Sequence, residues 1–306
     1  MGKVDVAARA YLSDPARFAD LFNHEAFGGD EVIHPSELRE ADTTKASGNT
    51  ERRRDLLKRW ARLEDDKAAY AILGLENQTR GHPAMPVRCA LYDAMVYGAQ
   101  VREIAKKNKE SGVPLPTSAE RLSGMREGDR LRPVVTIVLY LSASDWTWPE
   151  TLHGTIDPAA DGRLMAMVPD YRMNLVVPGR VPDEELDAFS TDVGLALKYI
   201  KHSSDKEELG TMVHEDERFG SVDPEMAEFL NVVTGSNLAI RTEGGRVDMC
   251  KAIDDMRRDE RREGRLEGRL EGRREGRLEG RQEGRREGER KGLLKSLRSL
   301  TANTGW

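Results

Sequence analysis

The chain has 306 residues, of which 38% are hydrophobic and 33% charged, and its formal net charge at pH 7 is −6. No apolar run approaches the ~18–20 residues that a membrane-spanning helix needs, and the first residues lack the apolar centre of a signal peptide, so we expect a soluble, cytoplasmic protein. Two isolated cysteines, Cys89 and Cys250, exclude a disulfide framework and a thiolate zinc site, and the acidic balance leaves any DNA binding to local basic patches.

The first quarter of the chain contains one predicted helix, one ambiguous segment and one predicted strand. Asp14 precedes apolar residues with helical spacing at positions 18–22, and it can cap a helix whose first turn holds Pro15. Residues 53–63 also space their apolar side chains as a helix does. Residues 68–75, AAYAILGL, form a short apolar run between polar clusters, which is typical of a buried strand.

Helices and strands alternate in the following part of the chain. The pattern predicts a helix from about residue 86 to the basic run at 106–109, strands at 133–142 and 172–177, a helix at 182–206, and short helices around 226–230 and from 247 onward. This alternation indicates an α/β fold rather than an all-helical chain.

A four-residue repeat, beginning EGRL EGRL EGRR, occupies residues 263–292. Each glycine costs about 1 kcal/mol inside a helix relative to alanine, and a period of four places Glu near Glu and Arg near Arg. Two interpretations remain open, a helix that self-associates through its glycine stripe and a solvated, partly disordered tail. Because Glu and Arg nearly balance, the composition does not favour a DNA-binding arm.

Three polar residues point to metal chemistry. If residues 68–78 form a strand, Glu76 and Gln78 lie on one of its faces, and Asp55 can meet them from a neighbouring strand. Two carboxylates from adjacent strands make an oxygen-rich site suited to Mg²⁺ or Mn²⁺. Such an ion can polarise a phosphate and activate a water molecule. The ordinary alternative is that these acids form solvated ion pairs with the many nearby basic residues.

The segments that contain these residues resemble a known family. DLLK, AILGLENQT and AMPVRCALYDAMVYGAQV, followed by PVVTIVLYL and PDYRMNLVVP, are similar to the Rpn family of recombination-promoting nucleases, also called YhgA-like transposases. That family belongs to the PD-(D/E)xK nuclease superfamily. The resemblance covers most of the chain, the repeat tail included, and is most specific at residues 54–58, 76–79 and 85–100.

The resemblance implies a role for each polar residue. Asp55 is then the metal-binding aspartate at the start of a strand, Glu76 is the second metal ligand, and Gln78 replaces the usual lysine. A neutral amide can orient a water molecule but cannot neutralise charge, so slower chemistry is expected. Asp14 lies where related chains often have an acid at the first helix, which makes it a candidate additional acid of the site. The resemblance also implies a strand, rather than a helix, at residues 53–63.

The resulting prediction is a PD-(D/E)xK nuclease-like core at residues 1–180, with a small mixed sheet flanked by helices. A helical extension at 181–260 and the repeat tail at 261–306 follow. The expected function is a Mg²⁺-dependent DNA endonuclease in which Arg53, Arg54 and Lys58 contact DNA. The alternative is a catalytically weak nuclease-fold protein that binds DNA or assembles into homo-oligomers through its tail.

Overall fold

The computed structural model describes the chain except for residues 1, 42–43, 48–49, 54, 62–68 and 304–306. The helices in the described part are α1 Lys3–Leu12, α2 Pro15–Phe27, α3 Met85–Glu110, α4 Ser118–Ser123, α5 Gly162–Met165, α6 Asp183–Asp187, α7 Val193–His202, α8 Lys206–Glu215, α9 Pro224–Thr234 and α10 Met249–Asn303. The strands are β1 Leu38–Glu40, β2 Thr44–Ser47, β3 Thr50–Arg53, β4 Leu56–Ala61, β5 Ala69–Gln78, β6 Val134–Tyr140, β7 Asn174–Val176, β8 Thr242–Glu243 and β9 Arg246–Val247.

Five strands form a mixed sheet in the order β1-β4-β5-β6-β7. The pairs β1–β4 and β4–β5 are antiparallel, whereas β5–β6 and β6–β7 are parallel. Because two parallel neighbours cannot be joined by a tight turn, the chain crosses from β5 to β6 through α3. The predicted α/β class and mixed sheet are confirmed.

The strand β4 lies where the apolar spacing had predicted a helix. Leu56 and Leu57 are consecutive, yet each is only 3% exposed. Successive side chains of a strand point to opposite faces, so both faces of the sheet are covered here. A strand that is buried on both sides does not need alternating polar residues, and its apolar spacing can therefore mimic that of a helix. The strand that the family resemblance implies at residues 53–63 is present over Leu56–Ala61, whereas the helix that the apolar spacing alone suggests is not.

Each face of the sheet packs against helices. Leu57 clusters with Ile72 and with Val96 of α3. On the opposite face, the ammonium of Lys58 lies 5.4 Å from the ring of Phe18 in α2. The sheet is therefore flanked by helices, as predicted.

The amino-terminal helices are tied to the helices that follow residue 180. The carboxylate of Asp20 in α2 accepts hydrogen bonds from the backbone and the hydroxyl groups of Ser190 and Thr191. These bonds fix a loop between α6 and α7, so the single helix predicted at residues 182–206 is two helices. Arg17 contributes an ion pair with Asp192, at 2.8 Å.

The chain divides into two compact units, residues 1–250 and 251–306. The first unit contains the sheet together with α1–α9. The second is the remainder of α10, which is helical throughout its described length and includes the repeat. None of the described helices is long and apolar enough to cross a membrane.

Candidate metal centre

Asp55 and Glu76 are neighbours across two strands. Leu56 pairs with Leu75 in the antiparallel register, so the residue before Leu56 lies level with the residue after Leu75. Asp55 Oδ2 accepts a hydrogen bond of 2.9 Å from the backbone N–H of Asn77. The two residues therefore lie side by side at the ends of adjacent strands.

Glu76 is fully buried, and a cation from α3 contacts it. Its Oε2 accepts a hydrogen bond of 3.0 Å from Nη2 of Arg88, whose side chain is 29% exposed. The Nε of Arg88 donates to the hydroxyl of Tyr92, at 3.3 Å, one helical turn further on. This guanidinium lies at the carboxylate pair because α3 begins only seven residues after β5 ends.

Burial raises the pKa of the Asp55 carboxyl above its ordinary value. The backbone N–H of Asn77 and the guanidinium of Arg88 lower this pKa, but they offset the effect of burial only in part. A buried carboxylate that is not fully compensated within the protein gains from an added cation. Burial therefore disfavours the charged form of Asp55, and a nearby cation would offset that cost.

Gln78 shares a face of β5 with Glu76, because residues two apart on a strand point the same way. Its side chain is partly exposed, whereas that of Glu76 is buried. In the parallel pairing, Gln78 lies opposite Tyr140 at the carboxyl end of β6. Gln78 thus lies two residues beyond Glu76, at the carboxyl end of β5, with a partly exposed side chain.

The donor set fits a hard divalent cation. Asp55 and Glu76 offer carboxylate oxygens and Gln78 an amide oxygen, and Mg²⁺ commonly binds through one or two carboxylates while keeping several waters. Within the described residues, no group of three or more His, Cys, Asp or Glu side chains is placed so that it could hold a metal ion. An open site with two carboxylates leaves coordination positions for a phosphate oxygen and for water.

The helix α3 is anchored against the sheet by a buried acid. Asp93 Oδ1 accepts a hydrogen bond of 2.6 Å from the hydroxyl of Thr136 in β6, and its Oδ2 accepts one of 2.6 Å from Tyr171. Asp93 lies on the same helix as Arg88, five residues further along. These short bonds fix the position of α3 and hence of the guanidinium at Glu76.

Two of the predicted residues are not brought to this pair. Asp14 caps α2, where its Oδ1 accepts hydrogen bonds from the backbone N–H groups of Ala16 and Arg17. Lys58 is 1% exposed, and its ammonium donates to the carbonyl oxygen of Ser13, at 2.8 Å, and to Glu40. It is three residues from Asp55 in an extended segment, and it faces α2 rather than α3.

The two remaining predicted DNA contacts cannot be placed at the site. Arg54 lies outside the described residues, and the side chain of Arg53 is not among those described. Arg88, by contrast, was missed by the sequence analysis. It belongs to the segment AMPVRCALYD, which carries the family resemblance, but the helical pattern there was used only to identify the apolar positions.

No family model matches the chain, and neither a curated protein nor a solved structure matches it.

Proposed function

We propose that this chain is a metal-dependent DNA endonuclease that nicks or cleaves DNA in the cytoplasm and so promotes recombination. The observation that carries the proposal is the juxtaposition of Asp55 and Glu76 at the ends of two adjacent strands, with Gln78 beside them. The resemblance of these segments to the Rpn nucleases, and through them to the PD-(D/E)xK superfamily, supports the same assignment.

The two carboxylates would hold Mg²⁺ or Mn²⁺. When bound, such an ion lowers the pKa of a water molecule and offsets the charge of the scissile phosphate. The amide of Gln78 would orient the attacking water, whose oxygen forms a bond to phosphorus while the bond from phosphorus to the leaving oxygen breaks. The attacking water gives up a proton to solvent, and the leaving oxygen takes up a proton from solvent.

Arg88 supplies the positive charge that Gln78 cannot. Its guanidinium lies 3.0 Å from Glu76 and is partly exposed, so it can reach a phosphate oxygen at the same site. A planar guanidinium binds phosphate through two parallel hydrogen bonds, which a neutral amide cannot replace. In this proposal, Arg88 on α3 provides the positive charge that the related nucleases take from a lysine at the position of Gln78 on β5.

Plasmid nicking by the purified chain tests the proposed function. We expect supercoiled DNA to become nicked or linear in Mg²⁺ or Mn²⁺ but not in Ca²⁺ or EDTA, because Ca²⁺ is larger and binds with less defined geometry. No nicking in any of these ions, by a chain that is folded by circular dichroism, would contradict the assignment.

A second candidate function is assembly through the repeat. Leu266, Leu270 and Leu278 are between 54% and 60% exposed, and a Cβ atom added to the repeat glycines would meet nothing within 4 Å. A helix with exposed leucine and bare backbone can pack against a second copy of itself. This candidate predicts a homo-oligomer in sedimentation velocity and no nicking in any metal ion.

A further inference from the structure

A groove rich in arginine runs along the first turns of α10. Six arginines line it, and the other lining residues are Asp254 and Leu266. The groove has a volume of about 740 Å³ and lies within the second unit of the chain. The arginines are Arg257, Arg258, Arg261, Arg262, Arg265 and Arg269. We call this surface the arginine groove.

The helical geometry of α10 explains why these side chains gather on one side. Successive residues of an α-helix are rotated by about 100°, so the six arginines fall within an arc of about 140°. By the same geometry, the acids Asp259, Glu263 and Glu267 fall on the opposite side. Over residues 257–269, the helix therefore places the arginines and these three acids on different sides, although Asp254 lies within the arginine arc.

We infer that the arginine groove binds the phosphate backbone of double-stranded DNA. Guanidinium groups form paired hydrogen bonds with phosphate oxygens and are weakly hydrated, which makes arginine well suited to phosphate recognition. The groove spans twelve residue steps from Arg257 to Arg269, or about 18 Å at 1.5 Å per residue. Along that length a DNA strand presents about five phosphates, at one per ~3.4 Å.

Most of the guanidiniums in the groove are available for such contacts. Arg258 forms an ion pair with Asp255, at 2.8 Å. Within the described part of the chain, Arg261, Arg262, Arg265 and Arg269 form no ion pair, and each is exposed. These four groups can therefore bind phosphate without first losing a carboxylate partner.

An anionic membrane is a poorer match for this surface. Helices that lie on membranes insert an apolar face below a basic one. Among the described residues that line the arginine groove, Leu266 is the single apolar one. The face opposite the groove is acidic, so an anionic membrane would repel it.

Fluorescence anisotropy with a labelled 24-base-pair duplex in EDTA tests this inference. In the full-length chain, changing Arg261, Arg262, Arg265 and Arg269 to Gln should weaken binding about 100-fold and reduce the slope of log Ka against log salt by about 3–4. Glutamine is nearly as favourable in a helix as arginine, so the helix itself should persist. EDTA separates binding from cleavage, so this result does not depend on whether the chain cuts DNA.

A matched variant in the same helix controls for overall charge. Arg273, Arg277, Arg281 and Arg285 changed to Gln remove the same charge outside the arginine groove, and we expect binding within about threefold of the wild type. The inference is overturned if both variants weaken binding equally or if the groove variant binds normally. It is also overturned if the wild type binds an RNA duplex or anionic phosphatidylserine vesicles more tightly than the DNA duplex.

Discussion

Replacing Asp55 by Asn is expected to lower the rate of plasmid nicking roughly a thousandfold while leaving the chain folded. Asparagine has nearly the same shape as aspartate, and its oxygen can still accept the hydrogen bond from the backbone N–H of Asn77. The substitution removes the negative charge of Asp55 that would hold the metal ion. The same reasoning applies to Glu76→Gln, because the new amide oxygen can still accept the hydrogen bond from Arg88.

The thermal stability of the Asp55→Asn variant shows whether a loss of nicking comes from the site itself or from a loss of folded protein. Burial raises the pKa of Asp55 in the folded chain. The protonated form of Asp55 therefore stabilises the folded state, and this contribution is fully present below the pKa of Asp55 in the unfolded chain. The contribution is lost as the pH rises through the pKa of Asp55 in the folded chain. At pH 7 in EDTA, the variant should be at least as stable as the wild type. If the variant melted at a lower temperature than the wild type, its loss of nicking could be explained by a loss of folded protein.

Asp14→Asn provides the matched control for both changes. It replaces another carboxylate by an amide, but asparagine caps helices about as well as aspartate. Because Asp14 bonds to the first turn of α2, this variant should nick DNA at the wild-type rate. If it lost as much activity as Asp55→Asn, the metal site would have to include Asp14.

Replacing Arg88 by Met is expected to lower the nicking rate about 100-fold, because the charge near the phosphate is removed. The variant should also lose about 3 kcal/mol of unfolding free energy in EDTA, since Glu76 stays buried without the cation 3.0 Å away. A bound metal ion would restore part of this stability. Mn²⁺ should therefore raise the melting temperature of Arg88→Met more than that of the wild type.

Arg102→Met is the control for the Arg88 change. Arg102 is an exposed arginine on the same helix, α3. Its replacement should leave both nicking and melting temperature near their wild-type values. If Arg88→Met nicked at the wild-type rate, the proposed contact between Arg88 and the phosphate would be wrong, even if the variant were less stable.

The positions of Asp55 and Glu76 on adjacent strands could be anticipated from the sequence more readily than the packing of the surrounding helices. Alternation along a strand places Glu76 and Gln78 on one face whatever the rest of the fold does, and the family resemblance identified Asp55 as their partner. Arg88 could not be found in this way. Its contact with Glu76 depends on how α3 packs against the sheet, which Asp93 fixes through Thr136 and Tyr171.

The other differences also come from contacts between distant segments. The β4 segment has helical apolar spacing, but helices on both faces of the sheet bury Leu56 and Leu57. The loop between α6 and α7 is held by Asp20, about 170 residues earlier in the chain. A local sequence pattern does not show which distant residues will pack against the segment. The arginine groove was missed for a different reason, because total charge does not show how a helix distributes it.

Titration of the wild-type chain with Mn²⁺ in the absence of DNA tests most directly whether Asp55 and Glu76 form a metal site. The electron paramagnetic resonance signal of free Mn²⁺ measures the bound fraction. We predict one bound ion per chain, with affinity at least about 100-fold lower in Asp55→Asn and in Glu76→Gln. A wild type that binds no Mn²⁺, or variants that bind it as tightly as the wild type, would contradict the assignment of these two carboxylates.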